Sequence, residues 1–379
     1  MRIEQRAWTR EQGWTEPGTD PLLSAPQLVL VFGAGQALAD PALLRAVEAM
    51  YPGALRFGCS TAGEVDRDVV RDESLAVTAV RFDHTTIASA ACDLDACGDM
   101  AATGKAIASR LPREGLRHVL LLSDGLHVNG TALANSLMKH LPPGVTVTGG
   151  LAADGPRFQQ TLVLLGDEAR PRIVAAVGLY SDRLRLGFGS RGGWDPFGPE
   201  RIITRSRGNV LYEMDGGSAL ALYKKYLGKH AAGLPATGLL FPLSLKGDDS
   251  DADGMVRTLL AVNEEDQSMT FAGDMPEGSR ARLMKANLDR LVDGAHRAAV
   301  ESLDGLDGMT PAFALCISCV GRKLIMKQRV EEEVEAVRGV YGPDAAIAGF
   351  YSYGEISPTP TGTCGLHNQT MTITTFAEI

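Results

Sequence analysis

The chain has 379 residues, of which 45% are apolar and 22% are charged, and its formal net charge is −9. This length exceeds one ordinary hydrophobic core, so two domains or two fused halves are expected, and the apolar share excludes an intrinsically disordered chain. The negative charge, with no basic run to offset it, argues against nucleic acid as a partner.

The opening residues, Met1 to about Pro26, are polar and lack the apolar stretch of a signal peptide or a membrane anchor. No later segment reaches the roughly 18 uninterrupted apolar residues of a membrane-spanning helix. Six cysteines without regular spacing are typical of free thiols in a reducing compartment. These features predict a cytoplasmic protein with no membrane partner.

The first predicted βαβ unit follows this polar start. Gln27–Phe32 is predicted to be a buried strand, and Asp40 and Pro41 supply the N-cap and first-turn proline of a helix over Ala42–Met50. A second strand ends in the glycine-containing run Gly58–Glu64 (GCSTAGE).

The same pattern occurs twice more. The second unit has a strand at His118–Leu122, a loop at Ser123–Gly125 and a helix at Thr131–His140, and it ends in the closing run Gly149–Gly155. The third comprises a strand, a helix and a closing run, at Phe313–Val320, Arg329–Arg338 and Gly349–Glu355. The first and third closing runs share the spacing G-x-x-x-x-G-E, which indicates equivalent copies of one duplicated unit.

The residues between the second and third units predict a β-rich middle. Its strands are predicted at Ile173–Tyr180, Arg185–Phe188 and Arg257–Val262. Its helices are predicted at Ser218–Tyr226 and about Ser279–Ser302. The fold class is therefore α/β, with repeated βαβ units forming mixed sheets flanked by helices in two related halves. A turn at Asp215–Gly217 places the boundary there, which predicts a polar N-terminal extension over 1–26 and domains over 27–217 and 218–379.

An ordered series of short motifs resembles the FIST family over nearly the whole chain from about Gln27. The fragments that resemble the FIST N region are Gly58–Glu64, Gly149–Gly155, Arg157-Phe158, Thr161, Gly193-Trp194, Ile203-Thr204 and Gly208-Asn209. The fragments that resemble the FIST C region are Phe241–Leu243, Ala272–Asp274, Ser318–Arg322, Gly349–Glu355 and His367–Met371.

This resemblance implies a non-catalytic sensory domain of bacterial signal transduction that binds a small molecule such as an amino acid. Relatives are fused to or paired with histidine kinases, cyclic-dinucleotide enzymes or methyl-accepting domains, so the resemblance implies a separate signalling partner of this kind. A subset of the family resembles haem-dependent nitric-oxide sensors that regulate a histidine kinase. Haem-based nitric-oxide sensing is therefore an alternative, with haem as the possible cofactor.

Ligands in open α/β sheets bind beyond the carboxyl ends of strands, where glycine loops allow close approach of the backbone. The candidate ligand-binding residues in the three closing loops are Ser60, Thr61, Glu64, Asp154, Arg157, Tyr351, Tyr353 and Glu355. The alternative is that the glycines only make turns and the acids cap nearby N–H groups. For an amino-acid ligand, Arg191 or Arg322 would bind the carboxylate, and Glu64 or Glu355 would bind the ammonium group.

Cys316 and Cys319 lie three residues apart on a predicted strand and face opposite sides, which argues against a redox pair or a shared metal. Cys319 is either a ligand-facing thiol activated by Arg322 or a buried structural cysteine. A second class of function, an acyl-transfer enzyme, would use Cys319 as nucleophile, His367 as base and Glu355 as orienter.

His367, beside Asn368, either binds the ligand, serves as an axial ligand of haem iron, or fastens one loop to another. Two other segments resemble known ligand-binding motifs, but each lacks a residue that its motif requires. Gly33-Ala34-Gly35 resembles a dinucleotide fingerprint, but Leu38 stands in place of the third small residue. Asp249–Gly254 resembles the start of an EF-hand, but Leu260 occupies the position of the bidentate glutamate, which favours an acidic turn.

Overall fold

The computed structural model describes residues 1–15, 25–246, 254–359 and 362–379, so the acidic run Asp249–Asp253 lies outside the described residues. The strands in the first half of the chain are β1 Arg2–Thr9, β2 Gly13–Trp14, β3 Leu28–Gly33, β4 Leu55–Ser60, β5 Glu64–Asp66, β6 Val69–Arg71, β7 Leu75–Arg81, β8 Thr86–Asp93, β9 Leu116–Ser123, β10 Thr146–Leu151, β11 Val163–Leu165, β12 Glu168–Arg170, β13 Ile173–Tyr180 and β14 Leu184–Arg191. Those in the second half are β15 Asp195–Arg207, β16 Val210–Met214, β17 Gly217–Ser218, β18 Leu243–Lys246, β19 Met255–Arg257, β20 Leu259–Asn263, β21 Ser268–Phe271, β22 Arg280–Lys285, β23 Phe313–Cys319, β24 Ala346–Ser352, β25 Gly354–Pro358, β26 Cys364–His367 and β27 Met371–Glu378.

Helices separate these strands. The α-helices are α1 Gly35–Leu38, α2 Pro41–Met50, α3 Leu94–Cys97, α4 Met100–Arg110, α5 Gly130–His140, α6 Ala219–Leu227, α7 Leu288–Glu301, α8 Val320–Met326 and α9 Glu331–Tyr341. Short 3₁₀ helices cover Gly228–Gly233, Ala236–Leu240, Asp304–Leu306 and Lys327–Arg329. None of the described helices is long and apolar enough to span a bilayer.

Three of the four sheets in the described structure repeat one arrangement. Each has a parallel pair joined through a helical crossover, namely β3 and β4, β9 and β10, and β23 and β24. A third strand (β7, β13 or β27) lies antiparallel to the first strand of the pair, and a fourth (β1, β8 or β14) lies antiparallel to the third. The three βαβ units predicted from the sequence are therefore confirmed.

Each of these sheets is completed by a hairpin that belongs to another copy. The chain leaves β4 and forms β5 and β6 against β24 of the third sheet. It leaves β10 and forms β11 and β12 against β4 of the first sheet, and it leaves β24 and forms β25 and β26 against β10 of the second. The three copies are thus linked in a closed ring of exchanged strands.

The fourth sheet is an insertion in the third copy. It has the order β19-β18-β22-β15-β16-β21-β20, lies in sequence between β14 and α7, and packs against α6 around its own apolar cluster. The predicted boundary at residues 217 and 218 falls inside this inserted sheet.

The three repeated sheets share one central core. Leu30 and Phe57 of the first sheet, Leu120 of the second, and Leu315 and Phe350 of the third are all buried in it. Further apolar clusters lie on the outer faces, where α2 covers the first sheet, α4 and α5 the second, and α7 and α9 the third. The central strands, such as β3 and β23, are therefore buried on both faces, and every residue in them is buried.

One glycine occurs at the same register position in each parallel pair. Gly58 lies opposite Val31, Gly149 opposite Leu121, and Gly349 opposite Cys316. A Cβ atom at any of the three would overlap the carbonyl oxygen of the facing residue. Close backbone contact between the paired strands therefore explains why each closing run carries a glycine there.

Most predicted elements are present, but one helix was placed wrongly. The cap of α2 is as predicted, since Asp40 accepts a hydrogen bond from the Ala42 N–H at 2.8 Å. The predicted helix over Ser279–Ser302 begins only at Leu288, because Arg280–Lys285 alternates in burial and forms β22 between β15 and β18. The predicted strand over Arg257–Val262 is divided between β19 and β20.

The prediction of free thiols holds for only part of the described cysteines. Cys59, Cys316, Cys319 and Cys364 are free and buried, whereas Cys92 and Cys97 form a disulfide with Cα atoms 6.6 Å apart. The pair was missed because it depends on the short helix α3 returning toward the end of β8, which irregular cysteine spacing does not indicate.

Candidate functional site

A surface groove lies beyond the carboxyl end of β3, where the chain turns into α1. This is the position at which open α/β sheets bind ligands, because β3 has its crossover partner β4 on one side and β7 on the other. The groove encloses about 530 Å³, part of which is open to solvent. Its lining residues are Trp8, Arg10, Ala34, Gln36, Ala37, Asp40, Leu43, Glu73 and Arg157.

The groove carries charges of both signs. Arg10 and Arg157 supply two guanidinium groups, and Asp40 and Glu73 supply two carboxylates. Within the described parts of the chain, the side chains of Arg10, Arg157 and Glu73 have no hydrogen-bond or ion-pair partner, and Asp40 accepts only the N–H that caps α2. These charged groups are therefore available to a ligand.

The backbone geometry beside the groove recurs at the equivalent position of the other two copies. An N–H at the end of the first strand donates to a carbonyl oxygen at the start of the third strand. The pairs are Ala34 and Ser74 at 3.1 Å, Asp124 and Ile173 at 2.9 Å, and Cys319 and Thr370 at 3.1 Å. The residue before that carbonyl has a positive φ in every copy. These residues are Glu73 (51°), Arg172 (57°) and Gln369 (60°).

Different side chains occupy this position in the three copies. Arg172 binds Asp95 through its guanidinium, with N–O distances of 2.5 to 3.1 Å. Gln369 is fully buried, and its amide lies against Gly321 at the start of α8, whereas Glu73 is exposed in the groove. An Arg–Asp ion pair in the second copy and a buried glutamine in the third thus stand where the first copy has the exposed Glu73.

The two equivalent glutamates, Glu64 and Glu355, lie in the interior and not in this groove. Glu64 accepts hydrogen bonds from the Thr61 hydroxyl and from the N–H and hydroxyl of Ser74, the last two at 3.2 and 2.6 Å. Burial raises the pKa of Glu64 to about 7, against the opposing effect of these donors and of Lys323. Glu64 thereby fastens the segment that carries Glu73.

Glu355 repeats this arrangement in the third copy. It accepts the Ser352 hydroxyl at 2.7 Å and the N–H and hydroxyl of Thr370 at 3.3 and 2.9 Å. Burial raises the pKa of Glu355 to about 8. The equivalence of the two G-x-x-x-x-G-E runs is therefore confirmed at the level of individual hydrogen bonds.

The three closing loops meet through direct backbone contacts. The Ala62 N–H donates to the Tyr351 carbonyl at 2.8 Å, and the Ala153 N–H donates to the Ser60 carbonyl at 2.8 Å. The Ser60 hydroxyl accepts the Leu162 N–H at 2.9 Å. The structure thus brings the loop candidates together, and of these Arg157 is the one that lines the groove.

The two arginines predicted to bind a ligand carboxylate have partners within the chain. Arg322 is fully buried, and its guanidinium binds Glu333 at 2.6 Å and the Leu291 carbonyl at 2.8 Å. Glu333 also accepts the Tyr351 hydroxyl at 2.6 Å. Arg191 binds Glu301 at 2.7 Å. Both arginines connect elements of the third copy.

Cys319 and His367 do not contact each other in any hydrogen bond of the described structure. Burial and the charge of Glu355 raise the pKa of the Cys319 thiol well above its ordinary value, so the thiolate is disfavoured. The His367 ring bonds to the Ser190 hydroxyl and the Ser357 carbonyl, both at 3.3 Å. This geometry lacks the hydrogen-bonded nucleophile and base that acyl transfer requires.

The surroundings of His367 do not fit a haem ligand either. Both ring nitrogens are occupied, and the buried Arg257 lies close enough, together with burial, to lower the pKa of His367 to about 4. The adjacent Asn368 is buried as well, and its amide has no hydrogen-bond partner among the described residues. His367 therefore fastens β26 to β14 and β25.

Sequence reasoning missed several groove residues. Trp8 and Arg10 lie in the segment interpreted as a polar extension, although β1 is a full member of the first sheet. Glu73 lies between two short strands, and its role depends on a positive φ that no local motif signals. The local signal for the groove is Gly33-Ala34-Gly35, a strand end followed by small residues that resembles an incomplete dinucleotide motif.

Comparison with known proteins identifies two matching domain families. The sequence model of the FIST N domain matches residues 27–217, and that of the FIST C domain matches residues 219–358. An uncharacterized protein of Methanocaldococcus jannaschii is 23% identical over 208 residues, which cover 51% of this chain and 39% of that relative. The match thus spans well under half the length of that curated relative.

Proposed function

Because this chain belongs to the FIST family, whose domains are sensory domains of signal transduction, we propose that it is a sensor whose groove binds a free amino acid or a similar small zwitterion. The observation that carries the proposal is the set of charges in the groove, of which Arg10, Arg157 and Glu73 have no partner among the described residues. A guanidinium recognises a carboxylate through two parallel hydrogen bonds, which suits Arg10 or Arg157. Asp40 and Glu73 suit an ammonium group, and Trp8 offers an apolar face to the rest of the ligand.

The signal passes to a separate partner protein, such as a histidine kinase or a cyclic-dinucleotide enzyme, and the proposal includes a cytoplasmic location. The groove has walls from two copies, because Arg157 follows β10 and the other lining residues belong to the first copy. A ligand that bridges these walls favours one relative placement of the copies over others. The partner reads that placement, and the chain itself performs no catalysis.

Titration calorimetry with each of the twenty amino acids tests this proposal. We expect at least one to bind, and we expect Arg157→Gln to raise its Kd by about 10-fold or more, since hydrogen bonds to charged groups contribute about 1.5–3 kcal/mol. Arg297→Gln, on the exposed side of α7, is the matched control and should leave Kd unchanged. No heat with any amino acid, or equal effects of the two substitutions, contradicts the proposal.

A further inference from the structure

Arg157 lies in the loop between β10 and β11, and this loop is organised around one carboxylate. Asp154 accepts the Phe158 N–H through Oδ1 at 2.9 Å. Its Oδ2 accepts the N–H groups of Gln159 and Gln160 at 2.9 and 3.0 Å. Three consecutive amides directly after Arg157 are therefore held by a single side chain.

Asp154 is in turn held by the third copy. The Tyr353 hydroxyl, between β24 and β25, donates to Asp154 Oδ1 and also lies 2.7 Å from the Gly155 carbonyl oxygen. Burial alone would raise the pKa of Asp154, but the Tyr353 hydroxyl and the three N–H donors lower it below its ordinary value. Asp154 therefore stays ionised and remains an acceptor at neutral pH.

The ring of Tyr353 contacts the same loop on the far side of Arg157. It stacks on Phe158 with centroids 4.4 Å apart and an interplanar angle of 8°. Phe158 has a positive φ of 52° and is 50% exposed, so this stack, and not burial in a core, keeps its side chain in place. Tyr353 thus contacts the loop at residues 154, 155 and 158, on both sides of Arg157 in the sequence.

We propose that Tyr353 is a positioning residue that sets Arg157 in the groove, so that ligand affinity in the first copy depends on the third. The contribution to ligand binding rests on the proposed function, whereas the positioning of the loop does not. The hydroxyl of Tyr353 holds the loop before Arg157, and its ring holds the loop after Arg157. These contacts restrict the positions of the Arg157 guanidinium before a ligand binds. By linkage, any partner that displaces Tyr353 weakens ligand binding, and ligand strengthens the Tyr353 contact by the same factor.

Hydrogen exchange in the ligand-free full chain tests the positioning directly. Tyr353→Phe removes the hydroxyl and keeps the stack, and we expect the amides of Phe158, Gln159 and Gln160 to exchange about 10-fold faster or more. Tyr180→Phe is the matched control, because the Tyr180 hydroxyl is buried without a hydrogen-bond partner in the described structure. Unchanged exchange in the loop, or equal acceleration throughout the sheets, overturns the proposal.

Calorimetry with the amino acid that wild type binds tests the path through Arg157. We expect Tyr353→Phe to raise Kd several-fold with an unchanged Tm, and to have no effect on Kd in an Arg157→Gln background. An equal effect in both backgrounds overturns the role through Arg157. If no amino acid binds wild type, the proposed function has failed and the exchange result alone decides. Should Tyr353→Phe not fold, Phe158→Ala removes the stack at an exposed position and takes its place in both measurements.

Discussion

Equivalent positions of the three copies hold different side chains, and this difference separates buried residues with partners in the chain from a residue that lines the groove. Glu73, Arg172 and Gln369 share one backbone geometry, yet only Glu73 faces an open groove. Glu64 and Glu355 share one hydrogen-bond pattern, and both are fully buried. A glutamate in a glycine-rich loop is therefore not by itself a sign of a ligand, because the chain supplies its own donors.

Glu64 is expected to make the free energy of unfolding depend on pH. Below its ordinary pKa of 4.5, Glu64 is protonated in both states and contributes nothing. Between 4.5 and about 7 the folded state keeps the proton that the unfolded state has lost, so the free energy of unfolding falls as pH rises. Above about pH 7 the free energy of unfolding stays lower than at pH 4.5 by roughly 3 kcal/mol, because each pKa unit corresponds to about 1.4 kcal/mol.

Urea denaturation of wild type and Glu64→Gln at pH 4.5 and pH 8 measures this effect. Glutamine cannot ionise, so the variant should gain roughly 3 kcal/mol relative to wild type on going from the lower to the higher pH. Glu335→Gln, at an exposed position of α9, should follow wild type at both values. Parallel pH profiles for wild type and Glu64→Gln would show that folding does not raise the pKa of Glu64.

At the scale of elements, the sequence predicts most helices and strands, but it does not predict which strands pair. The three crossover units and the cap on α2 follow from local periodicity and capping residues. Short strands such as β5 and β11 carry three residues each, and their partners lie in other copies, so no local pattern assigns them. β22 was mistaken for helix because Arg280–Lys285 joins directly to the strongly amphipathic α7.

The candidate site shows the same limit. Arg157 was identified because it follows a glycine-containing strand end, which is a local feature. Trp8 and Arg10 reach the groove through the pairing of β1 with β7, and that pairing joins residues about 70 positions apart in the sequence. Arg322 was assigned to the ligand because its true partner, Glu333, is contributed by the next helix.

The ion pair of Arg322 and Glu333 connects four elements of the third copy and provides a test at this scale. Both side chains are fully buried, so Arg322→Met leaves an uncompensated carboxylate and should destabilise the protein by about 3–5 kcal/mol. The double variant with Glu333→Gln should recover part of this loss. Arg329→Met removes exposed ion pairs with Asp289 and Glu332 and should destabilise the protein far less than Arg322→Met. Chemical denaturation distinguishes these cases, and equal effects at the two arginines would contradict the assignment.

For the whole molecule, the ring of exchanged hairpins makes every sheet depend on two copies. The third sheet takes β5, β6 and β14 from the N-terminal part of the chain, and the second sheet takes β25 and β26 from the C-terminal part. The central core contains side chains from all three sheets. Neither matched FIST region therefore contains a complete set of strands for the sheets it contributes to.

Fragments 1–217 and 218–379 are accordingly expected to fold only together. Each alone lacks partners for buried strands, so circular dichroism should show no cooperative thermal transition for either. Mixed during refolding, they should elute as one complex and melt in a single transition close to that of the intact chain. A cooperative transition in 1–217 alone would contradict the dependence of its sheets on β23, β24 and β25.

The exchange of hairpins also explains how three equivalent copies can differ from one another in a threefold arrangement. Three identical subunits that each exchanged a hairpin with the next would form a symmetric trimer, and every substitution would then occur three times. In one continuous polypeptide the same circle is kept while each unit mutates independently. Glutamine could then close one equivalent position, an Arg–Asp pair could occupy another, and an insertion could enlarge one unit alone. Covalent continuity thus allows the groove beside β3 to differ from the equivalent positions, where a symmetric trimer would carry three identical ones.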